Sequence, residues 1–95
     1  MIDLIHRLGL PVILVARSAL GTINHTLLSL GALRARQVPV AGVVMNGPPD
    51  AGNRSTIEQF GRVRVLAELP RVEPLDPAAI RALAARIPPP HVVFL

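Results

Sequence analysis

A chain of 95 residues, 51% hydrophobic and with a net charge of +4, holds one small domain or part of a larger one. It contains neither cysteine nor lysine, which excludes a disulfide framework, a cysteine-based metal site and the Gly-Lys-Ser/Thr triplet of a Walker A loop. Aromatic residues make up only 2%, so no stacking rings interleave the ten scattered arginines and nucleic acid is not an expected partner.

Taken in chain order, Ile2, Leu4, Ile5 and Leu8 recur at helical spacing, and Gly9 is placed to stop that helix. Pro11 opens the apolar run Val12–Ala16, which reads as a buried strand. A Gly21-Thr22-Ile23-Asn24 turn then leads into a helix expected over residues 22–36, with Thr22 or Asn24 as its cap. A second strand is expected over 40–45, ending in the turn chemistry of Asn46-Gly47-Pro48-Pro49. A short helix follows over 54–60, capped by Asn53, then a third strand over 63–67 and an extended loop from Glu68 to Pro74. Asp76 and Pro77 start a last helix that is expected to run through Ile87, where Pro88, Pro89 and Pro90 end it. Residues 88–95 read as a Pro-rich tail.

Alternation of this kind calls for right-handed βαβ crossovers and an α/β architecture, a Rossmann-like parallel sheet with flanking helices. Strands this apolar are expected to be covered on both faces, which 95 residues do not readily supply, so further chain or a partner subunit is expected to complete the cover. No run approaches the roughly 18 apolar residues of a membrane span, and the first residues lack a signal-peptide pattern, so the cytoplasm is the expected location with no membrane partner.

Ligands of such sheets sit beyond the carboxyl ends of the strands, which singles out the loops 17–24, 46–53 and 68–73. At Gly21, Thr22, Ile23 and Asn24, free amides and the positive end of the helix dipole suit a carboxylate or phosphate. The alternative is an ordinary capped turn, and His25 just inside the helix reads more simply as a backbone or surface histidine. Asn46 offers one donor and one acceptor, the pair that matches the N6/N7 edge of adenine, or else bonds its own turn. Leu69, Pro70, Arg71 and Val72 could pass over a base or ribose, with a solvated Arg71 as the plainer reading. No serine stands in a GxSxG context, and His6, His25 and His91 are too widely spaced for a zinc site, so neither a hydrolase triad nor a zinc centre is expected.

The stretch Leu10–Leu28, the strand Pro39–Gly47 with its Val-x-Asn-Gly end, and Glu68-Leu69-Pro70 together resemble the C-terminal half of ATP-dependent dethiobiotin synthetases, up to about residue 87. The resemblance implies a partial P-loop NTPase-type domain from a homodimeric enzyme of biotin biosynthesis. That enzyme uses ATP, Mg2+ and CO2 to close the ureido ring on 7,8-diaminononanoate through a carbamate and a mixed carbamic-phosphoric anhydride. It implies that Gly21, Thr22, Ile23 and Asn24 hold the substrate carboxylate, reaching into the neighbouring subunit's site, and that Asn46 and Gly47 with Pro70, Arg71 and Val72 bind the nucleotide. The family's P-loop, catalytic lysines and Mg2+ ligands lie upstream of the matching segment, so these residues alone are expected to be inactive. Alternative readings are a piece of a related ATP-dependent synthetase, of the cobyrinate diamide synthase or phosphotransacetylase type, and a non-catalytic dimerisation module of the same fold.

Overall fold

The computed structural model of the protein describes residues 1–88. The elements follow in the order α1 (Ile2–Leu8), β1 (Val12–Arg17), α2 (Thr22–Ala35), β2 (Val40–Asn46), α3 (Ala51–Gly61), β3 (Val65–Leu69) and α4 (Pro77–Ala84). The strands form one parallel sheet in the order β1-β2-β3, as the alternating pattern requires. Successive right-handed crossovers in sequential strand order put both connecting helices on the same face. Leu30 of α2 and Ile57 of α3 accordingly join Ala16, Val43, Met45 and Val65 in one core cluster.

The register fixes which residues share a face. Leu14 pairs with Val43 and Ala16 with Met45, facing the helices, while Val15 pairs with Val44 and Arg17 with Asn46 on the opposite face. A shift in register after Val43 makes Val44 the partner of Ala67 and Met45 the partner of Glu68. Cover on both faces of every strand is not what the described residues provide: Ile13 is 46% exposed and Val15 64%. Val44, Leu66 and Ala67 are nevertheless buried. Gly42 is required here, because a Cβ would lie 2.6 Å from Leu66 Cγ.

Several boundaries depart from the sequence reading for local reasons. Gly21 rather than Thr22 or Asn24 occupies the N-cap of α2, at φ 86°, and no side chain caps that helix. Helix α3 begins at Ala51, not 54, because the Asp50 carboxylate takes the cap and accepts the Asn53 amide at 2.9 Å. A carboxylate there gains from the helix dipole as well as from the bond. Strand β3 starts at Val65: Arg62 in the left-handed region (φ 48°) turns the chain, and pairing with β2 begins only when the Val43 amide reaches the Arg64 carbonyl at 2.9 Å. Glu68 and Leu69, read as loop, are therefore strand. Helix α4 stops at Ala84, since the Arg86 and Ile87 amides bond the carbonyls three residues back, tightening the last turn ahead of Pro88. Of the tail at 88–95, residues 89–95 lie outside the described residues.

Candidate functional site at the carboxyl end of the sheet

Three loops leave the carboxyl ends of the parallel strands, and hydrogen bonds lace them together. The Ser18 amide donates to the Asn46 carbonyl at 2.8 Å, extending the β1–β2 ladder into the first loop, and the Gly47 amide donates to the Leu69 carbonyl at 2.9 Å. The Ser18 hydroxyl donates to the Pro48 carbonyl at 2.6 Å. Gly47 has φ 129°, a conformation open to glycine, and a Cβ there would stand 3.2 Å from Ser18 Cβ.

Two clefts open at this end. The first, about 680 Å³, is lined by Gly21, Thr22, Ile23 and Asn24 on one side and by Pro48, Pro49 and Asp50 on the other. The start of α2 faces it with unused donors. The Thr22 amide bonds Ala19 and the His25 amide bonds Gly21, but the Ile23 and Asn24 amides have no acceptor among the described residues. The contrast with α3 and α4 is instructive, because Asp50 and Asp76 cap those helices with carboxylates while α2 has no acidic residue in its first turn. Two free amides at the positive end of a 14-residue helix attract an anion. His25, exposed, lies instead beside Arg17 in a smaller cleft of about 440 Å³ along the β1 side of α2.

The second cleft, about 620 Å³, gathers Asn46, Gly47, Pro48, Leu69, Pro70, Arg71 and Val72, with Leu75 and Leu83 also in its lining. Asn46 and Gly47 thus share one cleft with Pro70–Val72, although 22 or more residues separate them in sequence. None of the described side-chain hydrogen bonds uses the Asn46 carboxamide, so its donor and acceptor are both open. Arg71 pairs with Glu73 at 2.7 Å while remaining 85% exposed, an ion pair that water screens and that releases easily. Behind this cleft Arg54 reaches the Val65 carbonyl at 3.4 Å and Glu68 at 4.0 Å, tying α3 to β3.

Sequence reasoning missed Ser18, which it weighed only as a hydrolase nucleophile. The signal lay in the adjacent prolines: Pro48 and Pro49 have no amide hydrogen, so those two residues can hydrogen-bond only through their carbonyls. Among the described residues no three His, Asp or Glu side chains gather to hold a metal ion, and no helix is long and apolar enough to cross a membrane.

Residues 1–79 match the model of a family described as AAA domain. The chain is 59% identical over 90 residues to an ATP-dependent dethiobiotin synthetase of Paramagnetospirillum magneticum, covering 95% of this chain and 42% of that protein. It is 58% identical over 88 residues to the biotin biosynthesis bifunctional protein BioCD of Bordetella avium, covering 93% of this chain and 19% of that one. With the ATP-dependent dethiobiotin synthetase of Agrobacterium fabrum the identity is 53% over 77 residues, 81% of this chain and 36% of the relative. The chain therefore spans between a fifth and about two fifths of the length of these relatives. Matched by the family's model over most of its length, the chain belongs to the AAA domain family, and the resemblance to dethiobiotin synthetases drawn from its motifs is borne out by the relatives it matches.

Proposed function

We propose that these residues supply the acid-docking and purine-reading portion of an ATP-dependent dethiobiotin synthetase, as the C-terminal portion of a single domain. In this reading Gly21, Thr22, Ile23 and Asn24 receive the carboxylate of 7,8-diaminononanoate on the open amides of α2. Asn46 reads the adenine edge of ATP, with Gly47, Pro70, Arg71 and Val72 forming the rest of the nucleotide wall. The observation that carries the reading is the pairing of an uncapped helix start with a free carboxamide in adjoining clefts at one end of the sheet.

The division of labour follows from what the chain lacks. Without lysine, and without a cluster of carboxylates among the described residues, it does not fit a triphosphate cradle or a Mg2+ site. The residues that grip the phosphates and metal, and that carry CO2 onto the substrate amine, then belong to other parts of the enzyme. The full enzyme works as a cytoplasmic homodimer in this reading, with the acid cleft serving the neighbouring subunit.

Titration with adenosine and, separately, with 7,8-diaminononanoate, followed by amide NMR, tests the reading. Adenosine is expected to shift Asn46, Gly47 and residues 69–72, and the amino acid to shift residues 21–24. No turnover is expected from the chain alone with ATP, Mg2+ and bicarbonate. Ligands that leave both sets of amides unmoved, or turnover by the chain alone, would overturn it.

A further inference from the structure

Hydrogen bonds from Asn46 address only the edge of a purine, whose two faces are apolar and gain from apolar cover. The second cleft offers polar side chains at Asn46, Arg71 and Glu73, and its other side chains are apolar. Two of these, Leu75 and Leu83, come from α4 and the turn before it, outside the residues that the motifs assign to the nucleotide. Both are short of apolar neighbours within the chain: Leu75 is 65% exposed and Leu83 half-buried. Helix α4 as a whole has no buried residue, although its eight residues are too few for a helix to stand on propensity alone. Just past its end, the Arg86 guanidinium donates to the Glu68 carbonyl at 3.5 Å, a long polar tie to β3.

We propose that Leu75 and Leu83 are contact residues for the purine ring, lying against its faces while Asn46 reads its edge. The inference rests on the nucleotide reading of this cleft and extends it from hydrogen bonding to the apolar part of recognition. Each leucine that leaves water against the base adds affinity in proportion to the apolar area covered. The base in turn supplies α4 with apolar contact that the described residues do not give it.

The test is methyl NMR of the leucines during titration with adenosine. A methyl group over the face of an aromatic ring shifts upfield. The chain has two phenylalanines and no tyrosine or tryptophan, so upfield shifts that follow the ligand report the base. The Leu75 and Leu83 methyls are expected to move upfield with adenosine and to stay in place with ribose, which carries no aromatic ring. Leu75→Ala and Leu83→Ala are each expected to weaken adenosine by about threefold or more, and to leave 7,8-diaminononanoate binding in the acid cleft unchanged. Ile80→Ala separates contact from helix anchoring. Leu75 and Ile80 occupy the N′ and N4 positions of a hydrophobic staple on α4, but Ile80 does not line the cleft. Ile80→Ala is therefore expected to bind adenosine as the wild type does. Leucine methyls that stay in place while adenosine shifts the Asn46 and Gly47 amides overturn the inference and leave the nucleotide reading standing. A loss of affinity in Ile80→Ala equal to that in Leu75→Ala does the same. The wild-type methyl shifts decide the matter even where a variant unfolds, and a wild-type chain that binds no adenosine overturns both readings.

Discussion

Asn46 stands where the sheet ends and solvent begins, with its carboxamide free of any described partner, and that freedom makes it able to discriminate between bases. Its NH2 group suits adenine N7 and its oxygen suits the adenine N6 amine. Inosine keeps the ring but turns the amine into a carbonyl, which faces the Asn46 oxygen acceptor to acceptor. The wild-type chain is therefore expected to bind adenosine more tightly than inosine. Asn46→Asp keeps the shape and loses both donor hydrogens, so it should weaken adenosine by about tenfold or more, at the low end of the 1–3 kcal/mol of a bidentate base contact. Because Asn46 is exposed, the same change should leave the melting temperature nearly untouched, within about 0.5 kcal/mol of stability. Calorimetric titration of both nucleosides against both proteins checks this, and equal affinities for adenosine and inosine in the wild type would remove Asn46 from its role.

At the scale of elements, the features legible in the sequence are those written in local chemistry. Asp76 followed by Pro77 marks the start of α4 because a carboxylate cap and a residue with no amide to leave unpaired are both local requirements, and the Asp76 carboxylate does accept the Ala79 amide at 2.8 Å. The strand-helix alternation places the three loops at one end of the sheet by chain direction alone, which is why the loops 17–24, 46–53 and 68–73 could be singled out from sequence. What was not legible depends on register. The late start of β3 follows from where Val43 finds Arg64, and the Ser18–Pro48 bond joins loops that no periodicity connects. Gly42 belongs to the same class: nothing local distinguishes it from a weak point in a strand, yet Leu66 packs directly over it from β3. Gly42→Ala forces the branch point of Leu66 to move within a packed sheet face, which should cost about 1–3 kcal/mol. For a domain of this size each kcal/mol lowers the melting temperature by about 4–8 °C, a shift that thermal circular dichroism resolves. A Gly42→Ala protein as stable as the wild type would show that the strands slide to relieve the contact.

For the molecule as a whole, the strand order leaves β1 at one side of the sheet with no described strand beyond it. In a parallel sheet, alternate residues send their amide and carbonyl to opposite neighbours. The Val12 and Ser18 amides bond toward β2, so by alternation the backbone groups of Ile13, Val15 and Arg17 point outward. The same residues place their side chains on the face away from α2 and α3, where Ile13 and Val15 are largely exposed. An apolar strand with an open row of donors and acceptors is a template for another strand, and natural sheets blunt such edges with charge. The isolated chain is therefore expected to self-associate as its concentration rises. Val15→Lys puts an ammonium at the centre of that edge and adds nothing to the core cluster, of which Val15 is not a member. It should raise the concentration at which the chain remains monomeric by light scattering while leaving its far-ultraviolet circular dichroism unchanged. Association that persists undiminished in Val15→Lys would place the sticky surface elsewhere, on the exposed leucines of α1 or on Leu20, and would leave β1 already protected.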